Sequence, residues 1–463
     1  MWNSNYSRRE FIRKNSLTGL GAVIAMSPGS RLFANSGQDA SVPAILGGPP
    51  ARTKSWLNWP VWDTAADEQH ILKVLRSGVW CRAGVAKSVV TEFEEKWAET
   101  LGAQRGLAVV NGTNSLIIAL RMLNVGGGDE VIVTPYTFIA TVSCILEVGA
   151  MPVFADVDPE TFQISPEKIR EKITPRTRAI LPVHILGLPC DMPAIMDIAR
   201  RYDLIVVEDA CQAWLAEINN QKVGTFANAG CFSFQNSKNI PIGEGGAIVS
   251  DDHEFMDRCH SYHNTGRSYG QMADLVGGQY MIRGNNLRMT EYQAAIGLAQ
   301  LKRLDSQTSI RSRNAEYLKN KISAIPGILP YKLYGNVTRA AFHLFPFRYK
   351  NEEFNGMPRS QFIRALNAEG VPASGGYSGN LNRMPYLKDA FQTKNYQLMY
   401  PREMLDFDSY VERNRTPANE QLADHEAVWF SQSMLLGTTS DMDDIYNAIE
   451  KIHKNSGRII ASL

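Results

Sequence analysis

"EVIVTPYTFIATVSCILEVGAMPVFADV", residues 130 to 157, contains two apolar runs with a helix-length segment between them. The runs 130–135 and 151–157 are rich in Val with little polar alternation, which is how strands buried on both faces read. Phe138 to Val148 fits a helix connecting them. Outward from this unit the pattern repeats. Further strand candidates are "GLAVV" (106–110), "RAILPVHI" (178–185), "LIVVEDA" (204–210), "GCFSF" (230–234) and "GGAIVS" (245–250). Helices fit at 113–123, at 166–173 behind a Ser165 cap with Pro166 at the first helical position, and at 192–201. Strands alternating with helices define an α/β architecture with a mainly parallel seven-stranded sheet.

Past Ser250 the alternation stops. "RMTEYQAAIGLAQLKRL" (288–304) reads as one long helix, and after Asp305 the pattern mixes helix and strand. The expected organisation is an N-terminal segment (35–70), a large domain (71–305) and a smaller C-terminal α+β domain (306–463). The charged tract 392–416, with Pro401 and Pro417 near its ends, reads as an exposed excursion, a candidate lid. Lys and Arg total 48 against 47 Asp and Glu, so the net charge of +1 gives no global case for nucleic acid or a membrane surface. The six cysteines are dispersed without a CxxC pair, so neither a metal site nor a disulfide framework is expected. Residues 1–34 read as a twin-arginine export signal: Arg8 and Arg9 in "SRREFIRK" precede a modest apolar stretch, Leu17 to Met26, too short for a stable membrane anchor.

Ligands of an open parallel sheet bind beyond the carboxyl ends of its strands. "VVNGTNSL" (109–116) opens a helix with free N–H groups and two hydroxyls, and is either a phosphate cradle or an ordinary turn capped by Asn111 or Thr113. It lacks both GxGxxG and GxxxxGK[ST], so neither a dinucleotide fold nor an NTPase loop is supported. "TPYTFIAT" offers Tyr136 or Phe138 as an aromatic face. In "VVEDACQAW" (206–214) Asp209 follows an apolar run and needs a partner to stay ionised, or else it is a helix cap. "CFSFQNSKNIPIGEGG" (231–246) places Lys238 between a buried strand and a glycine cluster. Cradle, aromatic, carboxylate and lysine at successive strand ends are together the parts that hold pyridoxal 5'-phosphate.

"NGTNSL", "GDEVIVTPYTFIATVSCIL", "VFADVDPETF", "PVHILGLPCDM", "VVEDACQAW", "GCFSFQNSKN", "GEGGAIV" and "RMTEYQAAIGLAQLKRLD", in that order, resemble the DegT/DnrJ/EryC1/StrS family of pyridoxal-phosphate aminotransferases. The resemblance covers nearly all of the chain after the signal and implies the aspartate aminotransferase-like fold (fold type I). It implies Lys238 as the Schiff-base lysine and proton shuttle, Asp209 on the pyridinium nitrogen, Gln212 near the ring hydroxyl and Phe138 stacked on the ring. Gly112, Thr113 and Ser233 match phosphate contacts. Asn286 in "GNNLRM" matches an asparagine that reaches the phosphate from a second subunit, so a homodimer is implied.

By the same resemblance the donor is glutamate or glutamine and the acceptor a keto sugar or keto-cyclitol. "VPASGGYSGNLNRMPYL" and "AILGGPPARTKSW" are most similar to the branch acting on keto-cyclitols and amino-shikimate-type rings. Candidates for the acceptor pocket are Trp80, His184, His263, Arg267 and Tyr377. The alternative is an exported carbohydrate-binding or regulatory protein that keeps the fold and cofactor without turnover. The export reading makes its own prediction. Fractionation of expressing cells should place the wild type outside the cytoplasm and an Arg8→Lys, Arg9→Lys double variant inside it. Cytoplasmic protein with an intact N-terminus in both strains removes the signal.

Overall fold

The computed structural model describes residues 39–462 apart from 86, 277 and 378, so the expected export signal lies outside the described residues. The seven strand candidates all enter one sheet. Its strands are β1 (Arg105–Val109), β2 (Glu130–Val133), β3 (Met151–Phe154), β4 (Thr177–Leu181), β5 (Ile205–Asp209), then, after the short hairpin β6 (Glu217–Ile218) and β7 (Gln221–Lys222), β8 (Ala229–Ser233) and β9 (Gly246–Ser250). The order is β1-β9-β8-β5-β4-β2-β3. Neighbours from β8 to β3 are parallel, and β9 alone runs against its two neighbours.

Burial on both faces explains the missing alternation. Val131 and Val133 enter one core while Ile132 enters the other, and Val207 and Val206 divide the same way. Helices α1 (Val89–Leu101), α2 (Gly112–Met122), α3 (Ile139–Val148), α4 (Pro166–Glu171) and α5 (Met192–Tyr202) cover the sheet. The Ser165 hydroxyl accepts from the Lys168 N–H at 3.3 Å, with Pro166 at the first helical position as expected. On β8 the alternation has a mechanical use. Trp97 of α1 meets the rings of Phe232 and Phe234 edge-on at 5.0 and 5.3 Å, which anchors the strand that leads into Lys238. Each buried ring is worth about 2–3 kcal/mol.

The long helix, α6 (Glu291–Ile322), is nearly twice the expected length and passes straight through position 305. The sequence change there is a change of neighbour. Ala294, Leu298 and Leu304 pack into a core of the large sheet, whereas Ala315, Leu318 and Ile322 pack into the C-terminal core. That core is built on the antiparallel sheet β10 (Ile328–Pro330), β12 (Leu344–Tyr349) and β13 (Ala427–Ser431), while β11 (Val337–Arg339) joins the β6–β7 hairpin. Ala40 to Leu463 form one compact unit.

The tract 392–416 is not an exposed excursion. Its short helices pack Tyr396, Tyr400 and Tyr410, together with Phe391 just before it, into the core beside β2 and β3. The phenol of Tyr396 donates to the Ala150 carbonyl at 2.7 Å, Tyr400 to those of Asp129 and Gly149 at 2.9 Å, and Tyr410 to that of Pro152 at 2.7 Å. The Phe154 N–H on edge strand β3 donates to Asn414 Oδ1 at 2.8 Å. An edge strand presents unpaired backbone groups that need covering, and this tract covers them. Its charged residues face solvent, and they dominated the sequence pattern. Tyr410→Phe should therefore cost about 1–2 kcal/mol in urea unfolding, the penalty for orphaning a buried carbonyl. An unchanged midpoint would return the tract to the surface.

Candidate active site

The carboxyl ends of β1, β2, β4, β5 and β8 converge on a cavity of about 540 Å³. Gly112 and Thr113 follow β1, Phe138 follows β2, Asp209 and Gln212 end β5, and Ser233 and Lys238 end β8; all seven line the cavity. Asn286 does not. It lies on an exposed segment outside the cavity of its own chain. Of the acceptor candidates only Tyr377 lines the cavity. His184 is buried with Nδ1 accepting from the Cys190 N–H at 3.1 Å and Nε2 on Glu208 at 3.0 Å, a structural placement. His263 is buried against the His260 carbonyl. Trp80 bonds the Leu75 carbonyl, and Arg267 lies by Tyr280.

The helix cap that opened two readings is Asn111, whose side chain accepts from the Asn114 N–H at 2.9 Å. That leaves the Gly112 and Thr113 N–H groups, which have no acceptor in the helix, at the cavity floor. Gly112 has to be glycine: a Cβ there would stand 2.7 Å from Ser233 Cβ and 2.9 Å from Cys211 Sγ. Gly246 of β9 approaches equally closely, its Cβ position lying 2.4 Å from the Asn111 carbonyl. Free N–H groups at a helix end beside the hydroxyls of Thr113 and Ser233 suit a phosphate.

Two adjacent carboxylates on β5 point opposite ways and are treated differently. Glu208 accepts from the N–H groups of Gly224, Phe226 and Ala227 at 2.7, 2.8 and 3.1 Å and from His184, so its lone pairs are filled. Asp209, facing the cavity, accepts among the described residues only from Thr141 Oγ1 at 2.8 Å and the Cys211 N–H at 3.2 Å. It keeps capacity for a cationic N–H. Gln212 is clamped: its Oε1 accepts from the Leu186 N–H at 2.9 Å and its Nε2 donates to Tyr377 Oη at 2.6 Å. Phe138 is 56% exposed, far from normal for a phenylalanine beside a core and fitting for a ring that covers a ligand face.

Lys238 is part-buried, and burial holds its amine below the usual lysine value. Among the described residues no carboxylate forms an ion pair with it. The lysine loop is held from outside by Trp59, whose Nε1 donates to the Lys238 carbonyl at 3.1 Å. Sequence reasoning missed Thr141 and His343. Thr141 carried a signal as a hydroxyl one turn after Thr137, to which it bonds at 2.9 Å. His343 stood in the apolar run "AAFHLFPF" with nothing nearby to mark it.

An anion cradle, an exposed ring, a carboxylate with spare capacity and an unpaired amine fit pyridoxal phosphate. With the mainly parallel seven-stranded sheet and the C-terminal domain, they define a pyridoxal-phosphate-dependent enzyme of fold type I. The chain belongs to the DegT/DnrJ/EryC1/StrS aminotransferase family, whose pattern matches residues 63–405, and it is an aminotransferase. It is 33% identical over 430 residues to L-glutamine:2-deoxy-scyllo-inosose aminotransferase of Streptoalloteichus tenebrarius, covering 90% of this chain and 99% of that one. It is 36% identical over 306 residues to the spore coat polysaccharide biosynthesis protein SpsC of Bacillus subtilis, covering 65% and 77%. The crystal structure of 3-amino-5-hydroxybenzoic acid synthase superposes with a TM-score of 0.75 at 30% identity, covering 88% of this chain and all of that one.

The depressed lysine has a thermodynamic signature. Between its folded and unfolded pKa values the unfolded chain binds more protons, so Lys238 destabilises the fold at neutral pH and ceases to do so as the pH approaches the ordinary lysine value of 10.5. Cofactor-free Lys238→Met should accordingly be more stable than the wild type at pH 7, with the gap closing towards pH 10.5. Equal urea midpoints at pH 7 would mean a solvated surface amine.

Proposed function

We propose that this enzyme transfers the amino group of L-glutamine to the ketone carbon of a hydroxyl-rich keto-cyclitol. The observation that carries it is the pairing of an unpaired lysine amine and an under-bonded carboxylate in one cavity whose remaining lining includes Gln235, Ser237 and Glu244. Those side chains match the hydroxyls of a polyol ring, and the names of similar proteins supply both the donor and the ring class. The alternative of a cofactor-holding protein without turnover has no observation in its favour.

When bound, pyridoxal phosphate supplies an electrophilic carbon for an amine and a sink for the electron pair left by a departing proton. The chain's residues do the rest. Gly112, Thr113 and Ser233 would hold the phosphate, Phe138 would cover one ring face, and Gln212 would bond the ring hydroxyl. Asp209 would keep the ring nitrogen protonated, which is what makes the sink effective. Lys238 would carry the cofactor's covalent attachment, and its neutral Nζ is the base placed to move the proton of the donor's α-carbon. Burial favours this by enlarging the neutral fraction of the amine. Asn286, exposed and outside its own cavity, is read as reaching the site of a second copy in a homodimer.

Mixed with L-glutamine alone, the loaded enzyme should convert to its aminated form, and a keto-cyclitol should reverse the change. Asp209→Asn should still take up cofactor yet slow the glutamine half-reaction by about 10²–10³-fold, the scale of a lost electrostatic stabiliser. Lys238→Ala should abolish borohydride-trapped attachment. A wild-type half-reaction rate in Asp209→Asn would make Asp209 a structural cap.

A further inference from the structure

We propose that His343 is a positioning residue for Lys238: with its Nδ1–H on Asn239, it offers an Nε2 lone pair to the cavity as an uncharged acceptor for the lysine's N–H bonds. The proposal rests on the reading of Lys238 as the working amine and adds a partner for its charged state.

The tautomer follows from the hydrogen bonds. Asn239 Nδ2 donates to the Ala341 carbonyl at 3.1 Å, which turns Asn239 Oδ1 towards His343 Nδ1 at 3.3 Å. The ring therefore carries its proton on Nδ1. Nε2 has no hydrogen-bond partner among the described residues and is not among the buried unpartnered atoms. Since His343 lines the cavity with Lys238, that lone pair is open to it. Trp214 packs edge-on against the ring at 5.8 Å and fixes its plane.

Burial and the surrounding charges keep the ring neutral. Burial, the lysine and the guanidinium of Arg311 push His343 well below the usual histidine range. Arg311 is itself fully buried, bonded to Gln432 Oε1 at 2.6 and 2.9 Å, and no carboxylate among the described residues forms an ion pair with it. On the lysine side, Asp209 makes no ion pair with the amine among the described residues, and burial pushes up the Cys211 thiol and the Tyr377 phenol, so neither of these two offers an anion. Glu244 is exposed at the cavity edge. Lys238 must nevertheless hold a proton for part of each cycle. A carboxylate at bonding distance would trap that proton, whereas an imidazole lone pair supports the ammonium without committing it.

The test reads Lys238 in the cofactor-free chain, where transamination plays no part. Acylation of Lys238 by an amine-reactive ester is followed across pH by peptide mass spectrometry in wild type, His343→Phe and His343→Gln. His343→Phe should move the profile down by about half a pH unit, the scale of one net hydrogen bond, and His343→Gln, which keeps an acceptor, should stay with the wild type. In the loaded enzyme His343→Phe should lower kcat for L-glutamine more than it changes KM, with His343→Gln recovering most of the loss. His343→Leu carries the same expectation if His343→Phe does not fold. A profile that stays put in the apolar variants, or moves equally in His343→Gln, overturns the proposal. A wild type inert to every amino donor would instead strike the transamination reading and leave the apo profile to decide the role of His343.

Discussion

A sheet covered on both faces has nowhere to expose polar chemistry except its edges and the ends of its strands. This constraint organises the molecule. Val131, Ile132 and Val133 alternate between two cores, both dry, so a charged side chain in mid-strand would find no solvent on either side. The carboxyl ends of parallel strands all open in one direction, and five of them deliver the cavity. The free edge at β3 is the complementary problem. Its backbone groups are met by Asn414 and by tyrosines reaching in from the tract 392–416.

Within the cavity the chain separates positive from negative charge. Glu208 and Asp209 are neighbours on one strand, but the pleat sends Glu208 into a nest of backbone N–H groups and Asp209 to the cavity with capacity left over. Lys238 faces the same space without an ion pair. An ion pair between the two would satisfy both and leave the amine too basic to work. Holding Asp209 with a threonine hydroxyl and a single N–H keeps it available for a cationic ring nitrogen, and a lysine burdened by desolvation remains a usable base.

The parts of the fold legible in the sequence were those set by local chemistry. Apolar runs, most of them rich in β-branched residues, located all seven strands of the main sheet, and Ser165 with Pro166 marked a helix start. The strand-end motifs gave seven cavity residues, since each motif lies within a few positions of its strand. What the sequence did not disclose depends on contacts between distant segments. His343 comes from the C-terminal part of the chain, 105 positions beyond Lys238, and no local pattern marks a histidine that bonds to Asn239. Tyr396, Tyr400 and Tyr410 read as scattered aromatics in a charged tract because their partners are backbone carbonyls on strands some 250 residues away. His184 misled in the opposite way: a histidine at a strand end looked functional, and burial against Glu208 makes it a strut.

The long helix explains how the C-terminal part can bear on the lysine at all. Arg311, past the midpoint of α6, holds Gln432 just after β13, and its guanidinium lies over the ring of Trp59 at 5.3 Å. Trp59 in turn donates to the carbonyl of Lys238. A displacement of β13 relative to the large sheet is thus transmitted through three side chains, Gln432, Arg311 and Trp59, to the backbone that carries the amine. Tyr377 makes a parallel link, since its phenol holds Gln212 while its ring packs against Trp429 of β13. Two separate chains of contacts therefore tie one strand of the C-terminal sheet to two cavity residues, Lys238 and Gln212. The helix keeps both in register because its ends belong to different cores and the rod between them is unbroken.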